Sequence, residues 1–544
     1  MIALTFCFST MFGLLVTSLS DRTDTGRESP TAAKTLALIV HDPIYIDGTS
    51  GFTGPNASTG VTRGSGAESD PYIIEGWEIW SFPSYGIYVG NVNVHFVVQD
   101  CSIHNGGWSE GSSILLLACS NGTIRNCTCY SNAGKGIYLD SSDGNSLIDN
   151  ACSYNHYYGI VLSYSSDCCL INNSCSNSEY GIYISGDDNL LTGNVCSDNR
   201  YGIRLEISAN SSLVGNTCLR NEYGTWLFWA TDNSLLGNIC SANSQDGIEL
   251  VNSEGNHLTN NTCSDNDWNG ILVYSSHGNS LVNNACTGIG GYGYAIWIFS
   301  SDNNSLIGNM CSQSAIYLLG AEGNSLISNS CMIYLSDSAN NSLVNNTCSN
   351  LFYGILIYDS SDNNCLTSNT ILNNEYGIYI SSSSNNSLVN NMCSANQDGI
   401  RLTLCNDTMI QMNRIVGNSR HGISIYSGSN NMIWNNTFDQ NNGSGDTYDP
   451  LHIQAYDAGT ENWWNSMDGY GNYWGDWTTP DVAPPDGIVD IPYQIDGSSD
   501  AQDNYPLTTT QTLIPEFGMM PLVVIGLLIT LVLVTGARRK NALG

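Results

Sequence analysis

The stretch Asn145-Ser-Leu-Ile-Asp-Asn-Ala-Cys152 decides the fold, because it returns as Asn279-Ser-Leu-Val-Asn-Asn-Ala-Cys286 and as Asn341-Ser-Leu-Val-Asn-Asn-Thr-Cys348. A Gly-Ile pair follows six or seven residues later and opens a second alternating run, as in Tyr180-Gly-Ile-Tyr-Ile184. The unit recurs roughly every 20–25 residues, a period typical of solenoids. Short alternating runs between Ser, Asp, Asn and Gly corners predict three strands per repeat. The sequence therefore predicts an all-β parallel β-helix of about sixteen coils over residues 72–450.

One repeat position holds cysteine in most coils and Ile103, Ile371, Ile415 or Phe438 in others. A position that accepts Cys, Ile or Phe is apolar and points inward, where a free thiol packs as a small hydrophobic group. Disulfides and soft-metal sites are alternatives, but side chains stacked about 4.8 Å apart run parallel rather than towards each other. We expect a ladder of buried thiols formed by Cys129, Cys152, Cys175, Cys196, Cys218, Cys240, Cys263, Cys286, Cys311, Cys331, Cys348 and Cys393.

A second repeat position, two residues before the cysteine, is asparagine from Asn150 to Asn436. Stacked side-chain amides can hydrogen-bond to the coils above and below, and asparagine tolerates the backbone of a tight corner. We therefore interpret this column as structural rather than catalytic.

The charge balance excludes one class of partner. The 544 residues include 15 Lys and Arg against 49 Asp and Glu, which gives a formal net charge of −34. Nucleic-acid binding needs a basic surface, so we expect no nucleic-acid partner.

The two ends of the chain indicate export and anchoring. An apolar N-terminal segment within residues 1–28 is typical of a secretory signal peptide. Residues 519–537 carry no charge, are long enough to cross a bilayer as a helix, and precede a basic tail at residues 538–544. Ile514-Pro-Glu-Phe-Gly518 resembles the C-terminal sorting tag of archaeal surface proteins, which implies a sortase-like processing enzyme as a partner. We expect an exported protein that is held at the cell surface by its C-terminus.

Several segments outside the simple repeats resemble the NosD family of right-handed parallel β-helix proteins. They are Asp70-Pro-Tyr-Ile-Ile-Glu-Gly76, Gly471-Asn-Tyr-Trp-Gly-Asp476, Asp486-Gly-Ile-Val-Asp-Ile-Pro-Tyr493 and Asp503-Asn-Tyr-Pro-Leu507. The resemblance implies a right-handed, single-stranded β-helix solenoid with caps, which we place at residues 35–71 and 451–508. The wider group to which the family belongs is described as carbohydrate-binding proteins and sugar hydrolases, so a polysaccharide or cell-surface glycan becomes the expected partner.

The same resemblance implies two possible metals, copper and calcium. NosD is a helper in copper-site maturation, which makes a copper-site accessory role an alternative, although the eight histidines are scattered along the sequence. Relatives often carry an oxygen-rich calcium loop in the C-terminal module. Asp486 and Asp490 match that loop and Asp481 could substitute for a missing ligand, so calcium is a possible cofactor.

The position two residues after the repeat glycine points away from the core by the two-residue alternation of a strand. It is often aromatic, and an exposed aromatic column could stack against sugar rings. Tyrosine and tryptophan also simply suit strands, or could lie under a covering loop. The candidate ligand-binding residues in this column are Tyr183, Trp226, Trp297, Tyr317, Tyr334 and Tyr379.

The same column carries the densest group of charges, which makes Arg204, Glu206 and Glu249 the candidates for catalysis. Paired carboxylates could serve a glycoside hydrolase, and an arginine beside them could serve a polysaccharide lyase. The Asp-Asp and His-Gly pairs that polygalacturonase-like enzymes need close together are separated here by ten repeats, as Asp187-Asp188 and His421-Gly422. We therefore favour carbohydrate binding or a cell-surface interaction over catalysis, and a purely structural stalk also remains open.

Overall fold

The computed structural model describes residues 38–52, 59–81, 84–106, 111–291, 293–482 and 486–510. One coil consists of Ser146–Ile148, Ala151–Ser153 and Tyr158–Ser163, with a sharp corner after each strand. Each strand pairs in parallel with its counterpart in the next coil, so that Leu147 meets Leu170 and Cys152 meets Cys175. The predicted right-handed parallel β-solenoid of about 16 turns is confirmed.

The strands form three long parallel sheets, which we name the Leu, Cys and Gly sheets after their repeat residues. The Leu sheet contains Val61–Arg63, Tyr72–Glu75, Phe96–Gln99, Gly122–Arg125, Ser146–Ile148, Cys169–Ile171, Leu190–Thr192, Ser212–Val214, Ser234–Leu236, His257–Thr259, Ser280–Val282, Ser305–Ile307, Ser325–Ile327, Ser342–Val344, Cys365–Thr367, Ser387–Val389, Met409–Gln411 and Met432–Trp434. Its first strand alone is antiparallel to its neighbour.

The Cys sheet contains Ile39–His41, Trp77–Trp80, Ser102–His104, Thr128–Tyr130, Ala151–Ser153, Ser174–Ser176, Val195–Ser197, Thr217–Leu219, Ile239–Ser241, Thr262–Ser264, Ala285–Thr287, Thr347–Ser349, Thr370–Leu372, Met392–Ser394, Arg414–Val416, Thr437–Asp439 and Tyr473–Trp474.

The Gly sheet contains Ile44–Asp47, Tyr85–Gly90, Ser112–Leu117, Lys135–Asp140, Tyr158–Ser163, Tyr180–Ser185, Tyr201–Glu206, Tyr223–Phe228, Ile248–Val251, Ile271–Tyr274, Ile296–Phe299, Tyr353–Tyr358, Tyr376–Ser381, Asp398–Thr403, Ile423–Ser427 and Ala455–Asp457. Met310–Leu319 and Ser330–Ser336 run through both the Cys and Gly sheets. A short antiparallel hairpin of Tyr493–Gln494 and Gln502–Asp503, and two single 3-10 turns at Thr49–Gly51 and Asn441–Gly443, complete the described elements.

The core is a stack of apolar columns, one from each inward-facing position. The Leu sheet contributes residues such as Leu258, the Gly sheet contributes Ile248 and Leu250, and the Cys sheet contributes the twelve column thiols. All twelve thiols are buried and free of disulfides. Burial raises the pKa of thiols such as Cys175 and Cys393, which keeps them neutral, and the column packs as part of the apolar core.

Asparagine ladders hold the coils together, and the structure has three of them rather than the one that the sequence predicts. In the predicted ladder, Asn238 donates its backbone N–H (2.9 Å) and its Nδ2 hydrogen (3.0 Å) to Oδ1 of Asn261. The second Nδ2 hydrogen goes to the Leu213 carbonyl at 2.9 Å. The residue before the ladder turns the chain with a left-handed backbone, as at Gly237 (φ 63°) and Asn260 (φ 54°), which explains the Gly and Asn that precede the ladder.

The other two ladders lie at the remaining corners of each coil. One precedes the Leu strands: Asn145, Asn189, Asn233, Asn256, Asn279, Asn304, Asn324, Asn341, Asn364, Asn386 and Asn431. The other follows the Cys strands: Asn132, Asn155, Asn199, Asn221, Asn243, Asn266, Asn374, Asn396, Asn418 and Asn441.

Aromatic side chains close both ends of the solenoid. Phe52 is buried and stacks on Tyr72 with ring centroids 4.6 Å apart, which covers the first coil. At the other end, Trp474 lies between Phe438 and Tyr493, with centroids 4.2 and 4.0 Å away. Solenoids need such caps because their terminal coils otherwise expose an open apolar end.

The predicted terminal segments lie outside the described residues. These are the signal peptide, the sorting motif, the membrane-spanning helix and the basic tail, which all stay predictions. In the part of the chain that the structure describes, no helix has the length and apolar character needed to span a bilayer.

We expect Asn238→Ala to lower the free energy of unfolding by about 2–4 kcal/mol. The substitution leaves three buried groups without the partner that Asn238 provides: the Asn216 backbone N–H, one Asn216 Nδ2 hydrogen and the Leu213 carbonyl. Denaturant unfolding followed by circular dichroism measures this loss. Thr262→Ala, at an exposed position in the next coil, is the control and should change stability by less than about 0.5 kcal/mol. Equal stability of the two variants would contradict the prediction that the asparagine ladder stabilises the fold.

Candidate functional site

The outer face of the Gly sheet presents three columns of side chains. In strand Tyr201–Glu206 these columns are represented by Tyr201, Arg204 and Glu206, while Ile203 and Leu205 point into the core. Gly202 also faces inward, where a Cβ atom would lie 2.4 Å from the Gly224 carbonyl oxygen. The repeat glycine therefore lets neighbouring coils approach closely, and its strand carries the variable outer face.

Three consecutive coils bring Arg204, Trp226 and Glu249 into register. Together with Glu206 they form what we call the Arg204 cluster. Arg204 pairs with Glu206 at 2.8 Å, and its guanidinium carbon lies 4.7 Å from the Trp226 ring centre. Tyr183 donates its hydroxyl hydrogen to Oε2 of Glu206 at 3.1 Å. The candidate catalytic residues and two of the candidate ligand-binding aromatics are thus assembled at one place.

Glu249 is the most perturbed acid of this cluster. The pKa of Glu249 is raised to about 8: burial is the largest cause, the nearby Asp246 adds to the rise, and Arg204 opposes both effects. Asp246 is itself buried, which raises its pKa to about 6, and it accepts hydrogen bonds from the Asn269 backbone N–H (2.9 Å) and Nδ2 (2.8 Å). Glu249 is therefore protonated at neutral pH and can donate a hydrogen bond or a proton.

The Arg204 cluster also contains unpaired polar atoms. Arg204 Nε, Trp226 Nε1 and Glu249 Oε2 are buried and make no hydrogen bond within the chain, and Trp297 Nε1 further along the same column does likewise. Buried polar atoms usually find partners, so unpaired ones call for water or a ligand. Such atoms beside aromatic rings suit a ligand that has both apolar faces and hydroxyl groups.

The remaining aromatic candidates do not form the exposed ladder that the sequence suggests. Tyr317 is only 8% exposed and its hydroxyl lies 3.1 Å from that of Tyr358. Trp297 stacks on Phe299, and Tyr379 stacks on Tyr353. Rings on adjacent coils are close enough to cover one another, so the column faces outward but is mostly half-buried. Tyr334 is also half-buried, and these residues lie in later coils, away from the Arg204 cluster.

A second polar cluster on the same face escaped the sequence analysis. It brings together Asp398, Arg401, Arg420, His421 and Ser424, and we call it the Arg401 cluster. Arg420 Nε lies 3.0 Å from Asp398 Oδ1, and Arg401 is in register with Ser424. The available signal was the first column, where Tyr353 and Tyr376 are followed by Asp398 and His421 in place of further tyrosines.

The calcium candidates lie in the C-terminal cap and use their carboxylates locally. Asp490 accepts the Val482 N–H at 2.8 Å, Asp481 accepts the Gly487 N–H at 2.9 Å, and Asp486 accepts the Ile488 N–H. Such bonds are typical of a loop that is held by its own side chains. Calcium stays a prediction at this place.

Family models match much of the chain. The model described as "Periplasmic copper-binding protein (NosD)" matches residues 67–216 and 310–479. The model described as "Right handed beta helix region" matches residues 165–311. No curated protein matches the chain.

Several solved structures resemble part of the chain. The A-module of the mannuronan C-5 epimerase AlgE6 from Azotobacter vinelandii is 13% identical, with a TM-score of 0.31 over 49% of this chain and 85% of that chain. The AlgE4 A-module from the same organism is 15% identical, with a TM-score of 0.32 over 52% and 83%. The Dettilon tailspike protein is 13% identical, with a TM-score of 0.33 over 54% and 60%. Scores this low do not transfer an activity or a substrate.

Copper can be tested against the side chains themselves. A copper site needs Cys, Met or His side chains that converge on one point. The column thiols pack within the core, and Met409 has one methionine, Met432, beside it in register on the Leu sheet. Among the described residues, no three His, Cys, Asp or Glu side chains are grouped so that they could hold a metal ion. The described residues therefore do not fit a copper site.

We expect Glu249→Gln to become stabilising relative to the native chain as the pH rises from about 4.5 to about 8. In that window the folded chain keeps the Glu249 proton while the unfolded chain releases it, so the native protein loses stability and the glutamine variant does not. The whole shift corresponds to a gain of at most about 5 kcal/mol at a pH of about 9, because each unit of pKa is worth about 1.4 kcal/mol, and urea unfolding measures it. Glu254→Gln, at an exposed position, is the matched control. A difference that is independent of pH would contradict the raised pKa.

Proposed function

The chain belongs to the NosD family of right-handed β-helix proteins, and from that premise we propose that it binds carbohydrate on the outer face of its Gly sheet. The binding site is centred on Arg204, Trp226 and Glu249. One observation carries the proposal: three adjacent coils place a half-buried indole ring between an arginine and a carboxyl group, and each of the three has a buried polar atom without a partner.

The chemistry of this site matches a sugar ring. The C–H faces of a sugar can pack on the Trp226 ring, and its hydroxyls can pair with the free atoms of Arg204, Trp226 and Glu249. Arg204 is held in place by Glu206 and by the hydroxyl of Tyr180, 3.3 Å from Nη1. A site that is ordered before binding loses less conformational entropy when the ligand arrives.

A second candidate function is hydrolysis or elimination in a polysaccharide. The observation that favours it is the pKa of about 8 of Glu249, which makes this side chain a proton donor at neutral pH. Glu206, paired with Arg204, would be the second carboxylate. Glu206 is in register with Val251, so the two glutamates lie two coils and two residues apart, with Cα atoms about 12 Å from each other. Their side chains would have to lean together to reach the separation of roughly 6.5–9.5 Å between the carboxyl groups of inverting glycoside hydrolases.

The proposed place of action is the cell surface, as the apolar N-terminal segment and the charge-free C-terminal segment indicate. Protease treatment of intact cells tests this location: the chain should be cleaved while a cytoplasmic marker stays intact. Protection of the chain until the cells are broken would contradict surface exposure.

Binding is tested on a glycan array, and catalysis by a depolymerisation screen with and without calcium. We expect Trp226→Ala to weaken binding roughly tenfold, because it removes the stacking surface. Trp463→Ala, which removes an exposed tryptophan (58%) in the C-terminal cap, is the matched control and should bind normally.

Glu249→Gln separates the two candidate functions. If the native chain releases products and Glu249→Gln does not, the protein is an enzyme. If neither chain releases products and only Trp226→Ala loses binding, the site is a binding module. The absence of binding and of products for all chains would contradict both candidates.

A further inference from the structure

The Arg401 cluster contains a concentration of unpaired polar atoms. It lies roughly nine coils, or about 43 Å, from the Arg204 cluster along the same sheet face. Two adjacent coils contribute six buried atoms without hydrogen bonds: Asp398 Oδ1 and Oδ2, Arg401 Nε, Thr403 Oγ1, His421 Nδ1 and Ser424 Oγ. These six are a large share of the fifteen such atoms in the described chain, so their grouping indicates a common cause.

Asp398 is the centre of the cluster. Its side chain is fully buried, and Arg420 Nε and Arg401 Nη1 lie 3.0 and 3.7 Å from its two oxygens. The arginines compensate its charge, although neither contact meets the geometry of a hydrogen bond. A buried carboxylate is tolerated when such partners compensate its charge. Asp398 therefore anchors both arginines from the buried side, and the exposed parts of Arg401 (20%) and Arg420 (35%) are what an outside group can reach.

Arg401 is held in an aromatic frame. Its guanidinium carbon lies 4.1 Å from the ring centre of Tyr426 and 5.3 Å from that of Tyr379, and Nη1 donates to the Tyr376 hydroxyl at 3.3 Å. Its side chain is 20% exposed, so one edge reaches the surface. This frame limits the rotamers of Arg401 and leaves its Nε hydrogen without an acceptor.

The charges of the cluster are separated by depth. Burial lowers the pKa of His421, which keeps the imidazole neutral near pH 7, and the carboxylates of Asp398 and Asp496 oppose that shift. Asp398 is fully buried, whereas Arg401 and Arg420 are 20% and 35% exposed, so guanidinium groups reach the surface of a chain whose formal net charge is −34. A local positive site on an acidic surface selects for an anionic ligand group.

We propose that the Arg401 cluster binds an acidic saccharide, a sugar unit that carries a carboxylate. Arg401 and Arg420 hold the carboxylate, Asp398 orients both arginines from the buried side, and the rings of Tyr379 and Tyr426 border the site. Guanidinium groups suit carboxylates because their fork of donors matches the two oxygens. The bordering rings favour a sugar over a simple anion, because the C–H faces of a sugar can pack on aromatic rings. This site is separate from the Arg204 cluster and does not depend on it.

The test is calorimetric titration of the full chain with a hexuronate oligosaccharide and with its carboxyl-reduced, neutral counterpart. We expect the neutral form to bind roughly ten- to a hundredfold more weakly, the range for losing a charge-assisted pair. Arg401→Gln and Arg420→Lys should each weaken binding of the acidic form, and thermal melting establishes that both variants are folded. Arg420→Lys keeps a positive charge beside Asp398 and removes only the guanidinium fork, so it guards against a folding defect.

A control variant locates the binding. Arg220→Gln removes a surface arginine (59% exposed) that pairs with Asp198 and should leave the affinity unchanged. Binding that is lost in Trp226→Ala but kept in folded Arg401→Gln would assign the sugar to the Arg204 cluster and overturn the proposal. Equal affinity for the acidic and neutral sugars, or normal binding by folded Arg401→Gln and Arg420→Lys, would also overturn it. Displacement of the sugar by a polyglutamate peptide of equal affinity would also overturn it, in favour of a site for acidic peptides.

Discussion

Hydrogen bonding at the corners is the constraint on which the rest of the structure depends. A coil of three short strands turns sharply three times, and each turn leaves backbone groups that the sheets cannot pair. Asparagine side chains take up these groups: each Oδ1 accepts from the coil before it and each Nδ2 donates to a carbonyl, as Asn238 does with Asn261 and Leu213. Because every asparagine serves two coils at once, the ladders also set the spacing and register of the stack.

The interior of the coil follows from that register. Once Cys152 lies above Cys175 and Leu147 above Leu170, each inward position must be filled by a side chain that tolerates its own copy as a neighbour. Small or branched apolar side chains meet this condition, and a neutral thiol is one of them. The cysteines are therefore explained by packing, and the chemistry of the molecule has to be sought on its outside.

On the outer face of the Gly sheet, equivalent positions in successive coils do not have to carry similar side chains, because they are not packed into the core. Tyrosine stacking continues across several coils and is interrupted where charged residues replace it, at Asp246 with Glu249 and at Asp398 with Arg401. Both interruptions leave buried polar atoms without partners. A rigid scaffold can carry such costly groups because the ladders and core supply its stability, and the two clusters differ in charge as expected of sites for different ligand groups.

The fold could be predicted almost entirely from the sequence, because a solenoid repeats one local unit. The Cys and Asn columns, the outward position of Arg204 and its distance of two coils from Glu249 all follow from counting residues within a constant repeat. Counting residues within the repeat could not predict which neighbours surround each outward side chain or how deeply they bury it. The half-burial of Tyr317, the raised pKa of Glu249, and the meeting of Asp398 with Arg401, Arg420 and His421 depend on side chains from several coils at once. Repetition therefore determined the backbone, whereas only the tertiary structure decided which outward groups lost water and which were left without partners, because desolvation depends on all neighbours together.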